Sequence, residues 1–147
     1  MDLLRRIAEF NTPVEDLKNI YILFIRSILE QSATVWHSSL TIENSSDLER
    51  VQKSATKIIL KQSDLSYKQR LAKLDIETLS SRREYLCLSF AQKCLKNERT
   101  KHMFPKNEKN HDMNTRHVEK YQVEYANTER KRNSPIIYMQ KLLNANV

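Results

Sequence analysis

An all-α fold is what this sequence predicts, and three observations predict it. The chain of 147 residues holds no glycine and three prolines, so the two-residue hairpin turns that join antiparallel strands have nothing to be built from. Apolar residues recur three and four positions apart, the helical period, in each strongly patterned stretch. Capping signals stand ahead of those stretches: Thr12-Pro13-Val14-Glu15, Ser46-Asp47-Leu48-Glu49, Ser66, Thr78 and Ser134-Pro135. The expected architecture is a small bundle of roughly five or six helices. It occupies residues 1–105, with a polar, partly disordered arm at 106–133 and a C-terminal helix at 134–147 that docks on the bundle.

The opening stretch Asp2 to Phe10 reads as a short helix, and Thr12-Pro13 restarts the chain. From there Val14, Leu17, Tyr21, Phe24, Ile25 and Ile28 fall on one side at about 100° per residue, predicting a core helix that runs to about Trp36. Arg26 and Glu30 then belong to its outer face, together with Leu23. After a polar connection, 38–46, a third helix carries Leu48, Val51, Ala55, Ile58 and Ile59 inward. Gln52 shares that apolar side and needs a hydrogen-bond partner if it is covered.

A short fourth helix carries Tyr67, Leu71 and Leu74, and Asp75-Ile76-Glu77 separates it from a long fifth. That fifth helix is expected to turn Leu86, Cys87, Phe90, Cys94 and Leu95 inward and Arg82, Lys93 and Lys96 outward. Arg83 lies at the edge of its apolar face, a position that stretches the stem over the core and pairs the head with a carboxylate.

The formal net charge is +7, which draws the molecule toward polyanions through a long-range, salt-sensitive field. Its sharpest local expression is on the third helix, where Arg50, Lys53, Lys57 and Lys61 project within roughly 80° of one another. Four cations at turn spacing suit the tracking of RNA or DNA phosphates, and they equally suit a solvated helix face. In the arm, Tyr121 and Tyr125 alternate with Arg116, Lys120, Arg130, Lys131 and Arg132. That mixture stacks on bases and neutralises phosphates in single-strand recognition, and it also makes an ordinary solvated linker.

Chemistry finds no foothold in the same residues. Phosphate-cradling loops need glycine, and phosphoryl transfer needs acidic side chains gathered around divalent ions, yet no two aspartates are adjacent. His37, His102, His111 and His117 with Cys87 and Cys94 show no metal-ligand spacing. No nucleophile with its base can be named. The expectation is therefore a binding module without catalytic residues, metal, cofactor or small-molecule substrate. The apolar run from Leu17 to Leu29 is too short and too often interrupted to span a bilayer. Two cysteines make no disulfide framework and the N-terminus shows no signal-peptide pattern, so an intracellular setting, nucleus or cytoplasm, is expected.

Residues of the second and third helices resemble a known family. Pro13-Val14-Glu15-Asp16-Leu17, Ile20-Tyr21, Phe24 to Glu30, Ser32-Ala33 and Val35-Trp36-His37 are similar to the stretch that follows the palm in non-LTR retrotransposon reverse transcriptases of the jockey and chicken-repeat type. Leu48-Glu49-Arg50-Val51-Gln52-Lys53 resembles that family's "LERVQ" helix, and Tyr67, Arg70-Leu71, Leu74, Leu79 and Arg82-Arg83 its following segment. Phe104-Pro105, Thr128, Arg130, Ser134-Pro135 and Leu142-Leu143-Asn144 resemble its closing block. The chain departs from the pattern at Ser27, where the family has proline, at Gln31, where it has tyrosine, and at Asp75, where it has glycine. The resemblance implies the thumb-side, C-terminal region of an RNA-directed DNA polymerase, without the catalytic palm.

Three roles follow as expectations. The first is a fragment or relic of such a polymerase that holds the RNA or DNA backbone. The second is a helical module that docks on a palm domain or another chain. The third is a helix-turn-helix reader with Ser80, Ser81 and Arg82 at the start of its recognition helix.

Overall fold

Helices carry almost all the regular structure of the chain in the computed structural model, which describes residues 1–61, 64–107 and 120–146. In order they are α1 (Asp2–Glu9), α2 (Val14–Ile20), a π-helical segment (Tyr21–Arg26), α3 (Ser27–Glu30), α4 (Ala33–Trp36) and a 3₁₀ turn (His37–Ser39). There follow α5 (Ile42–Leu60), α6 (Tyr67–Leu74), α7 (Leu79–Lys96), a second 3₁₀ turn (Lys101–Met103), α8 (Glu129–Arg132) and α9 (Pro135–Ala145). Extended pairing among the described residues amounts to an isolated antiparallel bridge between Lys106 and Tyr121. The expected all-α class is what the chain adopts.

Backbone contacts gather the chain into two units, one of Met1–Ala33 and Leu40–Arg83, the other of Thr34–Ser39 and Glu84–Val147. The division falls inside α7 rather than at residue 105. The first unit closes over Leu4 and Ala8 of α1, Leu17 and Tyr21, Ala55, Ile59 and Leu60 of α5, and Leu74 of α6. Leu17 and Ile59 are fully covered, each worth about 1.5–3 kcal/mol relative to exposure.

The helix from Val14 to Glu30 differs from its expected form in phase and in length. A uniform α-helix would keep Leu17, Tyr21, Phe24 and Ile28 on one face, but Phe24 is 64% and Ile28 70% exposed. The π segment Tyr21–Arg26 spends one extra residue on its turn. Downstream of it the inward line passes from Leu17 and Tyr21 to Arg26 and Glu30, whose side chains are only 14% and 12% exposed. The charged pair expected outside is thus turned in, and apolar residues expected inside are turned out. The helix also stops at Glu30, not Trp36: Gln31 leaves the helical region (ψ 125°) and Ser32 follows with a left-handed backbone (φ 54°).

Without glycine, the chain makes its left-handed turns with other residues: Asn11, Ser32, Lys61 and Asp75 all have φ between 50° and 57°. Lys61 caps the C-terminus of α5 and Asp75 that of α6. A non-glycine residue in this region carries a steric cost of about 1–2 kcal/mol.

The start of α5 is also earlier than expected. Thr41 caps it by accepting from the Asn44 amide at 3.1 Å, so Ser46 to Glu49 lie within the helix and not at its head. The expected caps of α6 and α7 are present: Ser66 and Gln69 form a reciprocal capping box, and the Ser81 amide donates to Thr78 Oγ1 at 3.2 Å. On α7 the buried line is Leu79, Arg83, Cys87, Ala91 and Cys94, and Phe90 is 45% exposed, on the outside. Ala91 holds the packed position and Phe90 stands about 100° away from it. Arg83 is fully buried and donates from Nη2 to Ser45 Oγ at 3.1 Å.

In the second unit Cys87, Ala91 and Cys94 pack with Phe104, Tyr121, Met139, Leu142 and Leu143. The region 106–133 is expected to be extended or disordered, and its described ends are instead tied down. The Asn144 side chain pairs with the backbone of Tyr121 in both directions, each bond 2.9 Å. The Asn107 amide donates to Lys120 O and the Gln122 amide to Pro105 O. Side-chain amide pairing of this kind leaves no trace in average composition.

Candidate nucleic-acid interface

The basic face of α5 rests on a polar network that fixes the helix from beneath. Gln52 is fully buried, and all its needs are met: Tyr21 donates to Oε1 at 2.6 Å, while Nε2 donates to Tyr67 Oη at 3.0 Å and to Glu77 O at 2.8 Å. Tyr67 in turn donates to Glu49, which also accepts from the Leu79 amide at 3.4 Å. Burial pushes the phenols of Tyr21 and Tyr67 well above their ordinary range, and for Tyr67 the bond to Glu49 adds to it. Both stay neutral donors. With the needs of Gln52 met the network ties together the helices that share it, although Glu49 Oε2 is buried without a hydrogen-bond partner, and the sequence pattern did identify Gln52 as the residue needing partners.

Arg50, Lys53, Lys57 and Lys61 are all exposed, but they are not four equivalent cations. Arg50 Nη1 lies 2.9 Å from Asp47, one turn earlier, in an exposed pair of small energetic weight. Lys53 Nζ sits 5.4 Å from the centre of the Tyr67 ring, within cation–π range. Lys61 is a correction: as the left-handed C-cap of α5 (φ 52°) it leaves the helical spiral that was to align it with the other three. Glu43, Asp47 and Glu49 precede Arg50, Lys53 and Lys57 along α5, a polarity that also complements the helix dipole.

The remaining candidate residues fare differently. Arg82 is held by Glu30 through two bonds, Nε to Oε1 at 3.0 Å and Nη2 to Oε2 at 3.2 Å. It was expected to face outward and is instead drawn into an ion pair. This also removes the side chain of Ser80-Ser81-Arg82 best suited to reading a base edge. Lys93 and Lys96 on α7 and Arg130 on α8 are exposed in the second unit. Tyr125 is 86% exposed, but Tyr121 is buried in the second core, so its ring is not offered to bases. Arg116 lies outside the described residues.

One constellation escaped the sequence pattern. Arg26 Nε lies 3.8 Å from the Glu30 carboxylate that Arg82 grips, and both arginines line a cleft of about 540 Å³ in the first unit. The signal that could have found it is the spacing four, five, four from Leu17 through Tyr21 and Arg26 to Glu30. That spacing becomes visible only once a π turn is allowed.

Among the described residues no group of three or more His, Cys, Asp or Glu side chains is placed to hold a metal ion. No helix among them is long and apolar enough to cross a membrane. Compared with protein-family models, curated proteins and solved structures, the chain matches none.

Proposed function

We propose that this chain binds the RNA or DNA backbone electrostatically, through the exposed half of α5, and performs no chemistry itself. The observation that carries the reading is the exposure of Arg50, Lys53 and Lys57 on a helix whose opposite side is fixed by Gln52, Ala55, Thr56 and Ile59. Cations on a rigid rod lose little conformational freedom when they meet phosphates at turn spacing. The resemblance to the post-palm region of retrotransposon reverse transcriptases supports the same reading, with the chain a fragment or relic that lacks the palm.

The test is the salt dependence of binding to a duplex DNA and to a single-stranded RNA of unrelated sequence. Three phosphate contacts on duplex DNA, from Arg50, Lys53 and Lys57, give a slope of log affinity against log salt of about −2.7, a loss of roughly fortyfold between about 50 and 200 mM salt. The variant Arg50→Gln/Lys53→Gln/Lys57→Gln/Lys61→Gln is expected to flatten that slope and bind weakly at both salts. A wild-type slope near zero excludes the reading.

A second reading rests on its own observation. Leu23, Phe24 and Ile28 are 64–70% exposed on the helix from Val14 to Glu30, an apolar stripe suited to a groove on a polymerase palm or another chain. Docking of that kind barely responds to salt, so the same titration separates the two.

A further inference from the structure

The geometry points to a second binding site in the first unit, independent of the α5 face: the cleft beside Arg26 takes a small ω-amino carboxylate. Its lining carries charges of both signs. Lys18, Arg26 and Arg82 supply the cations, Asp75 and Glu77 the carboxylates, and Ile22, Leu71 and Ile76 aliphatic surface. At about 540 Å³ the cleft has the size of a small-molecule pocket, and a few placed charges on an aliphatic lining are how such pockets orient a guest.

Arg26 is the group that asks for a ligand. Its side chain is 14% exposed, yet the nearest carboxylate among the described residues, Glu30, is 3.8 Å away, beyond hydrogen-bond distance. Glu30 cannot close that gap without giving up its two-point grip on Arg82 at 3.0 and 3.2 Å. A guanidinium in this position is completed by a second carboxylate, which it can meet with two parallel bonds. The π segment Tyr21–Arg26 is what turns Arg26 to the covered side of the helix, and π turns are found disproportionately at functional sites.

The carboxylates of the lining decide what the anion is attached to. Asp75 and Glu77 are exposed residues of the lining and repel a phosphodiester chain or a polyphosphate, whereas they attract an ammonium group. A carboxylate joined to an ammonium through a methylene chain meets the cations, the aliphatic residues and the carboxylates of the lining together.

The experiment titrates the full chain with 6-aminohexanoate, hexanoate, hexylammonium and inorganic phosphate, followed by calorimetry and by amide NMR shifts. The expected Kd for 6-aminohexanoate is about 1 mM, with hexanoate and hexylammonium each weaker by about tenfold and phosphate weaker still. Arg26→Gln is expected to abolish binding. Because that substitution touches a covered ion pair, Asp75→Asn/Glu77→Gln provides a variant at exposed positions, and it should bind 6-aminohexanoate no better than hexanoate. Equal binding of phosphate and 6-aminohexanoate overturns the proposal, as does an Asp75→Asn/Glu77→Gln variant that keeps the wild-type preference. Displacement of 6-aminohexanoate by a short RNA at equal concentration also overturns it and would place the cleft within the nucleic-acid site.

Discussion

Two helices of the first unit show how much depends on phase. Both α5 and the helix from Val14 to Glu30 carry an apolar side and a charged side in sequence, and both contribute to one core. In α5 the α-helical spacing holds throughout, so Ala55 and Ile59 point in and Arg50, Lys53 and Lys57 point out, as the pattern says. In the other helix a single π turn displaces everything after Tyr21 by one position. Arg26 and Glu30 come to lie against Arg82, and Leu23, Phe24 and Ile28 face outward. A charged pattern thus predicts a charged surface only where the helix keeps one period along its whole length.

Deleting one residue from each helix is the most severe way to break that contrast. Removing the exposed Ser54 from α5 rotates one side of the core against the other by about 100°. It should cost more than about 4 kcal/mol and leave no cooperative unfolding transition in urea. Removing the exposed Leu23 instead converts the π turn to an α turn and keeps Tyr21, Arg26 and Glu30 on one line. The expected change there is within about 1 kcal/mol, measured from the urea midpoint. Comparable losses from the two deletions would mean that the π turn is not where the phase shifts.

The ion pairs sharpen the same contrast at the level of single side chains. Glu30 sits between Arg26 and Arg82 with 12% of its side chain exposed. Replacing it by alanine leaves two covered cations facing each other and should cost about 3 kcal/mol. Asp47→Ala removes the partner of Arg50 from an exposed pair, where a change under about 0.5 kcal/mol is expected. Thermal unfolding of both variants, with a double-mutant cycle between Glu30 and Arg82, measures the difference directly.

What the sequence disclosed and what it hid divide along physical lines. Capping by Ser66 and Thr78, the proline that opens α9, the inward positions of Ala55 and Ile59 on α5 and of Leu71 and Leu74 on α6, and the demand of Gln52 for partners all depend on neighbours within a few residues, and all are found. The partners that meet that demand, Tyr21, Tyr67 and the Glu77 carbonyl, come from elsewhere in the chain and have no local signature. The same holds for Tyr121, whose composition-rich surroundings suggest a free arm and whose backbone is claimed by Asn144. Of the candidate binding residues, those on α5 were legible because helix period places them. Arg82 was not, because its direction is set by Glu30, 52 positions away.

The smallest expected effects lie at the helix ends, where they separate stability from binding. Lys61 and Asp75 each hold a left-handed backbone, φ 52° and 50°, at the C′-type position that glycine fills without steric cost. Lys61→Gly and Asp75→Gly should each raise stability by about 0.5–1 kcal/mol, less than the full steric relief because glycine also gains freedom in the unfolded chain. Neither should flatten the salt slope on duplex DNA, because Lys61 stands off the line of the other cations and Asp75→Gly removes no cation. If Lys61→Gly instead flattens the slope by about 0.9, the share of one phosphate contact, Lys61 belongs to the grip as well. An untouched slope leaves that grip to Arg50, Lys53 and Lys57, the cations that α-helical geometry keeps in line.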